Sequence, residues 1–205
     1  MRSEASVTGK STKNPFDWSG GHPALDFVNT LDERPLPAPI ERLESYADLV
    51  RFAGLAKLIS PAQARHLGRL SAPDVVRRAR KLREDCFDIL AARNHRKKID
   101  PAAFRAITAA IRDAHAARTL LPANGHAIAR HDWASPHAPL VPLHACALAI
   151  EDLLTGADAA LVRKCGAADC AVYFIDRSKA GRRHWCSMNN CGNREKQRRW
   201  RADAG

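Results

Sequence analysis

The chain has 205 residues, 45% of them hydrophobic, which is too apolar for a disordered polymer and enough for a real core. Lys and Arg outnumber Asp and Glu by 33 to 22, a formal charge of +11 that favours polyanionic partners such as nucleic acid. No run approaches the roughly 18 apolar residues of a membrane span, and the N-terminal MRSEASVTGKSTKNPFDWSGG lacks the apolar stretch of a signal peptide, so a cytoplasmic protein without membrane partners is expected.

Aromatic residues are only 6%, and the apolar content is mostly Ala, Leu, Ile and Val in runs broken by Arg and Lys, a balance that predicts a mainly α protein. Residues 1–14 are polar and are expected to be disordered, with order beginning near Pro15. In GGHPALDFVNTLDERPLPAPI the residues Ala24, Leu25, Phe27, Val28 and Leu31 form an apolar helical face, and Pro35, Pro37 and Pro39 predict a stiff linker after it. Helical periodicity then runs from Glu41 to Leu58, with Gly54 a candidate break. Ser60-Pro61 opens a helix to about Leu70. After Pro73 one stripe carries Val75, Val76, Ala79, Leu82, Cys86, Ile89 and Leu90, with Arg77, Arg78, Arg80, Lys81 and Arg83 on the other faces. Asp100-Pro101 caps the next helix, where Ala103, Phe104, Ile107, Ala110, Ile111 and Ala114 are expected to face inward.

The pattern changes after Arg118. Asn124-Gly125 between two short segments signals a β-hairpin, weakened by Pro122 near the turn. An apolar helix follows from Leu143 to Leu154, closed by Gly156. The whole of 15–160 thus reads as a helical, bundle-like domain with a short β-hairpin. The remaining segment, 161–205, is too short for an independent hydrophobic core without a staple.

Its four cysteines supply one. Cys165 and Cys170 form a Cys-x4-Cys pair, and Cys186 and Cys191 form a second after a 15-residue interval. Two close pairs brought together by a hairpin can place four thiolates tetrahedrally around one Zn²⁺, and in a reducing compartment this reading stands ahead of disulfides or four buried thiols. Four thiolates close the coordination shell, so the zinc is structural and not catalytic. Ala171–Asp176 reads as the first strand of the insert and RSKAG as its turn. His184 is a competing ligand type, whereas Cys86 and Cys146 read as single core thiols.

YFIDRSKAGRRHWCSMNNCGNREKQRR resembles the CGNR zinc finger, through Phe174, Asp176 and Ser178, through Trp185-Cys186-Ser187-Met188, and through Cys191-Gly192-Asn193-Arg194 with the basic run after it. Leu25-Asp26-Phe27-Val28-Asn29-Thr30 resembles the opening signature of the ABATE domain. The resemblance implies a stress-induced transcription regulator whose small module, treble-clef-like with a β-hairpin and a helix, binds zinc and DNA. One departure is His184, which stands where the resembled family usually has Arg and so replaces a fixed charge by a pH-sensitive one.

Residues 192–202 are expected to form a helix with Arg194, Arg198 and Arg201 on one face, Lys196 and Arg199 flanking it, and Trp200 packed on the zinc module near Trp185. Together with Arg182, Arg183 and Gln197 these are the candidate nucleic-acid contacts, and about five phosphate contacts would give a salt slope of roughly −4 to −5. His22, Asp26, Asn29 and Thr30 are polar residues in an apolar helix, read either as helix capping and internal hydrogen bonding or as a ligand pocket. The sequence holds no phosphate-binding Gly loop, no His-Glu-x-x-His and no nucleophile–base pair, so catalytic residues are not expected. Two functions follow from the residues. One is a DNA-binding regulator whose helical domain senses a ligand or forms a homodimer, and the other is a zinc-stabilised module for RNA or protein.

Overall fold

The computed structural model describes residues 16–203 except 124 and 126. The expectation for residues 1–14, and Asn124 of the hairpin turn, lie outside the described residues.

The chain is mainly α. It begins with α1 (Pro23–Val28), whose start is fixed locally: the His22 Nδ1 accepts the Ala24 N–H at 3.2 Å, and Pro23 occupies the first helical position. Every residue from Ala24 to Val28 is buried. The expected linker instead pairs β1 (Leu31–Asp32) with β2 (Ile40–Glu41) as a short antiparallel ladder, so Leu31 lies beyond the helix. The prolines occupy the loop between these strands, where no ladder N–H is required of them.

Next comes α2 (Tyr46–Leu55), which starts later than its apolar periodicity suggests because Ser45 and Asp48 form a reciprocal capping box. It ends at Leu55, one residue past Gly54, and does not continue to Leu58. A second capping box, Ser60 with Gln63, opens α3 (Pro61–Leu67). The longest helix is α4 (Pro73–Asn94), with its stripe from Val75 to Leu90 buried. Arg83 departs from the expected solvent face: it is 2% exposed, and its guanidinium grips the Glu41 carboxylate at 2.6 and 2.7 Å. α5 (Pro101–Ala116) buries Ala103, Ile107 and Ala114, while Phe104, one position off that stripe, is 51% exposed.

The hairpin β3 (Arg118–Pro122) and β4 (Ala129–Trp133) pairs Arg118 with Trp133 and ends at Pro122 opposite Ala129, so the proline sits at the terminal register position. α6 (Val141–Thr155) is buried along most of its length and packs against α1, α2, α4 and α5 as the central post of the bundle. A 3-10 turn, Ala157–Leu161, leads into β5 (Val162–Lys164), which pairs antiparallel with β6 (Tyr173–Ile175). The expected strand at Ala171–Asp176 is therefore present in part, but its partner lies upstream: the hairpin encloses the first cysteine pair, and RSKAG forms the expected turn, with the Gly181 N–H donating to the Ser178 carbonyl at 2.9 Å, yet leads into coil and not a second strand. A π-helical turn, Met188–Gly192, passes directly into α7 (Asn193–Asp203).

β6 belongs to two cores. Its alternation turns Tyr173 and Ile175 into the large helical core and Phe174 into a small cluster with Cys165, Ala167, Cys186 and Cys191. Asn29 stitches the strand to α1 from both directions: its Nδ2 donates to the Tyr173 carbonyl at 2.9 Å and its Oδ1 accepts the Tyr173 N–H at 3.1 Å. The Ile175 N–H donates to the Gly20 carbonyl at 2.8 Å, and the Phe87 ring meets Tyr173 edge to face at 5.6 Å.

Candidate metal centre

The β5–β6 hairpin carries Cys165 and Cys170 in its loop, and the π-helical turn brings Cys191 back against Cys186. All four Sγ atoms lie within 4.8 Å of one another. The Cys186 Sγ is 3.5 Å from that of Cys191 and 3.9 Å from that of Cys170. A disulfide requires about 2.05 Å, whereas a tetrahedron with metal–sulfur bonds of about 2.3 Å has sulfur–sulfur edges of about 3.8 Å, so the donors fit a tetrathiolate metal site. Their surroundings also suit negative sulfur. The Cys186 N–H donates to the Cys165 Sγ at 3.4 Å, and the Arg194 guanidinium approaches the Cys191 Sγ at 3.3 Å.

The thiols constrain each other. Hydrogen bonding from Cys170 and Cys186 pulls Cys165 far below the usual thiol range, and the same contact with Cys165 pushes Cys170 and Cys186 above it. One anion is accommodated at the expense of its neighbours, and a divalent cation at the centre would let all four ionise.

Close packing explains Gly166 and Gly192 and the rings beside them. A Cβ on Gly166 would overlap the His184 imidazole, and one on Gly192 would stand 3.0 Å from the Met188 sulfur and 3.6 Å from the Trp185 ring. His184 is thus a packing neighbour, meeting Trp185 edge to face at 4.9 Å, and the metal-ligand cluster consists of the four cysteines. Asp176 accepts hydrogen bonds from the Ser178 N–H and hydroxyl and from the Arg183 N–H, tying the coil between the cysteine pairs to the end of β6.

Residues 162–203 match the CGNR zinc finger, and residues 21–157 match the ABATE family, described as "Putative stress-induced transcription regulator". The chain belongs to the ABATE family. No curated protein matches it.

In this ABATE-family chain the cations of the CGNR module divide into two sets. Arg194 and Arg198 both reach Asp169, at 2.8 and 3.1 Å, and Arg198 also pairs with Glu195. Arg183 lies over the Phe174 ring at 4.5 Å and donates to the carbonyls of Trp185 and Cys186. Arg182, Lys196, Arg199 and Arg201 have no ion pair among the described residues, and Gln197 is exposed beside them. At about 100° per residue, Lys196 and Arg199 lie on the side of α7 opposite Arg194. Trp200 shares that outer side and is 73% exposed, which corrects the expectation that it packs near Trp185: Asp169 pins the arginine face inward and so turns the tryptophan out. Asp169 escaped the sequence reading, although a carboxylate inside a Cys-x4-Cys loop, one residue from a ligand, is a signal for a partner to the adjacent basic helix.

The polar residues of the ABATE signature are engaged within the fold. His22 Nε2 contacts Asp152 at 3.0 Å, the Asp26 Oδ1 accepts the Gly20 N–H at 3.0 Å, and the Thr30 hydroxyl donates to the Phe27 carbonyl at 2.7 Å while facing Arg83. Asn29 holds β6. Cys86 and Cys146 are fully buried in the helical core, where desolvation pushes the Cys86 thiol up to about 12 and the Cys146 thiol higher still.

Proposed function

We propose that this chain is a transcription regulator that holds one structural Zn²⁺ on Cys165, Cys170, Cys186 and Cys191 and presents α7 to duplex DNA. In this reading the helical domain receives a small-molecule signal or joins two copies. Bound zinc would supply four metal–thiolate bonds in place of a larger apolar core, with no position left for a reactive water.

The observation that carries the reading is the outer side of α7. Lys196 and Arg199 on that side have no acidic partner among the described residues, nor has Arg201 near the end of the Arg194 face, while the start of the same helix is anchored through Cys191. With Arg182, about four phosphate contacts predict a log–log salt slope near −4. The test is site selection from a random duplex pool with zinc-loaded protein, followed by affinity measurement against salt. Lys196→Ala with Arg199→Ala is expected to keep the zinc and flatten the slope by about 2, weakening all sequences alike. A wild-type protein that retains one zinc yet enriches no duplex sequence would sink the reading.

Exposed Trp200 favours a second reading, single-stranded RNA, because an exposed indole beside cations can stack on an unpaired base. Trp200→Ala separates the two: a larger loss on single-stranded RNA than on duplex DNA supports the second.

A further inference from the structure

A groove of the helical domain lies far from the cysteine cluster in sequence, between the α2–α3 turn, the β3–β4 hairpin and α6. Its volume is about 790 Å³, within the range that holds a small organic ligand. Ala145 and Ala149, one helical turn apart and both buried, form a depression in α6, and Ile59, Leu148 and Trp133 complete an apolar wall. Side-chain alternation places Arg118, opposite Trp133, on the same hairpin face as His131, and all three border the groove. Lys57, in the left-handed conformation just past α2 (φ 59°), reaches its rim from the other side.

The charges here are not balanced. Asp132 borders the same groove, but its carboxylate is paired with Arg130 and accepts the Trp133 N–H at 2.8 Å. The side chains of Lys57 and Arg118 make no hydrogen bond or ion pair among the described residues, Arg118 is half-buried, and its charge, after the Arg130 hydrogen bond, helps to lower the Asp132 carboxyl. An apolar wall edged by two cations that lack an ion-pair partner among the described residues, with the one bordering carboxylate already held by Arg130, is complementary to an amphipathic anion. We infer that this groove binds a small organic carboxylate with an aromatic or branched apolar body, the carboxylate between Arg118 and Lys57 and the body against Trp133, Ile59 and Leu148. Two cations from separate elements match one carboxylate, with the Arg fork able to hold both oxygens. The inference deepens the signal-receiving part of the proposed function and rests on it.

The test uses the full zinc-loaded chain without DNA, titrated calorimetrically with phenylacetate and with its neutral isostere phenylacetamide. Phenylacetate is expected to bind, phenylacetamide at least about tenfold more weakly, and Arg118→Gln and Lys57→Gln each to lose about tenfold in phenylacetate affinity. Leu148→Trp should abolish binding by filling the groove, with zinc content and thermal midpoint checking that the variant is folded. Equal binding of acid and amide, unchanged affinity in both charge variants, or no phenylacetate binding at millimolar concentration would each overturn the site. Because ligand binding is read without nucleic acid, such a failure leaves the DNA reading standing, and a failure of DNA binding leaves a measured ligand site standing.

Discussion

Asp26 is a carboxylate placed where apolar burial and one hydrogen bond oppose each other. Only 7% of it is exposed, and burial pushes its carboxyl up to about 7, against the lowering effect of the Gly20 N–H and with a further rise from the Asp17 charge. In the unfolded chain an Asp titrates near about 3.9, so between about pH 4 and pH 7 the folded state holds a proton that the unfolded state has lost. Folding stability therefore falls as pH rises through that window, by roughly 2–4 kcal/mol in total for this group. Asp26→Asn keeps an oxygen for the Gly20 N–H and removes the ionisation. Urea unfolding is expected to show the variant equal to wild type near pH 4 and more stable above pH 7, and parallel pH profiles for the two would refute the assignment. Unlike the buried charge of Arg83, which Glu41 and Glu84 neutralise, Asp26 has no cation in its hydrogen-bonding set among the described residues.

At the scale of elements, β6 is the joint between the ABATE and CGNR regions, and Asn29 is its fastener. Asn29→Ala leaves a buried N–H and a buried carbonyl of Tyr173 without their partner, a loss of about 2–6 kcal/mol at about 1–3 kcal/mol per unsatisfied group. Denaturant unfolding followed by far-UV signal should show this loss, whereas an effect below about 0.5 kcal/mol would mean that packing alone holds the strand. This joint was not legible in the sequence. Three-residue strands carry too little alternation to announce a partner, so the pairing of Tyr173–Ile175 with Val162–Lys164 appears only in the fold. The helices were legible because their signals are local: Ser60-Pro61 and Asp100-Pro101 cap the helices they predict, and the stripe from Val75 to Leu90 is buried. The four-cysteine set was legible for the same reason, since each pair closes a short loop. Residues whose environment is set by distant partners were misread. Arg83 meets Glu41 across 42 positions, and Trp200 is turned out by the Asp169 contacts of a helix face that periodicity alone assigned to nucleic acid.

For the whole molecule the consequence is that the metal is expected to stabilise more than its own loops. Without it, the small core of Phe174, Ala167 and four thiols has too little apolar surface to hold β6 in register. Release of β6 then exposes Tyr173 and Ile175, now 1% and 3% exposed in the large core, at about 1.5–3 kcal/mol for each side chain. At about 2–4 °C per kcal/mol for a chain of this size, complete chelation should lower the melting midpoint of the helical signal by on the order of 10 °C. Cys165→Ser should match the chelated wild type and gain nothing further from chelator. Hydrogen exchange gives the local reading: in the chelated protein, protection should fall in α1 and at the Tyr173 N–H as well as in residues 165–191, while the middle of α5, which packs mainly on α4 and α6, keeps its protection longer. A helical midpoint unmoved by chelation would show that the two cores fold independently and that β6 stays docked without its metal.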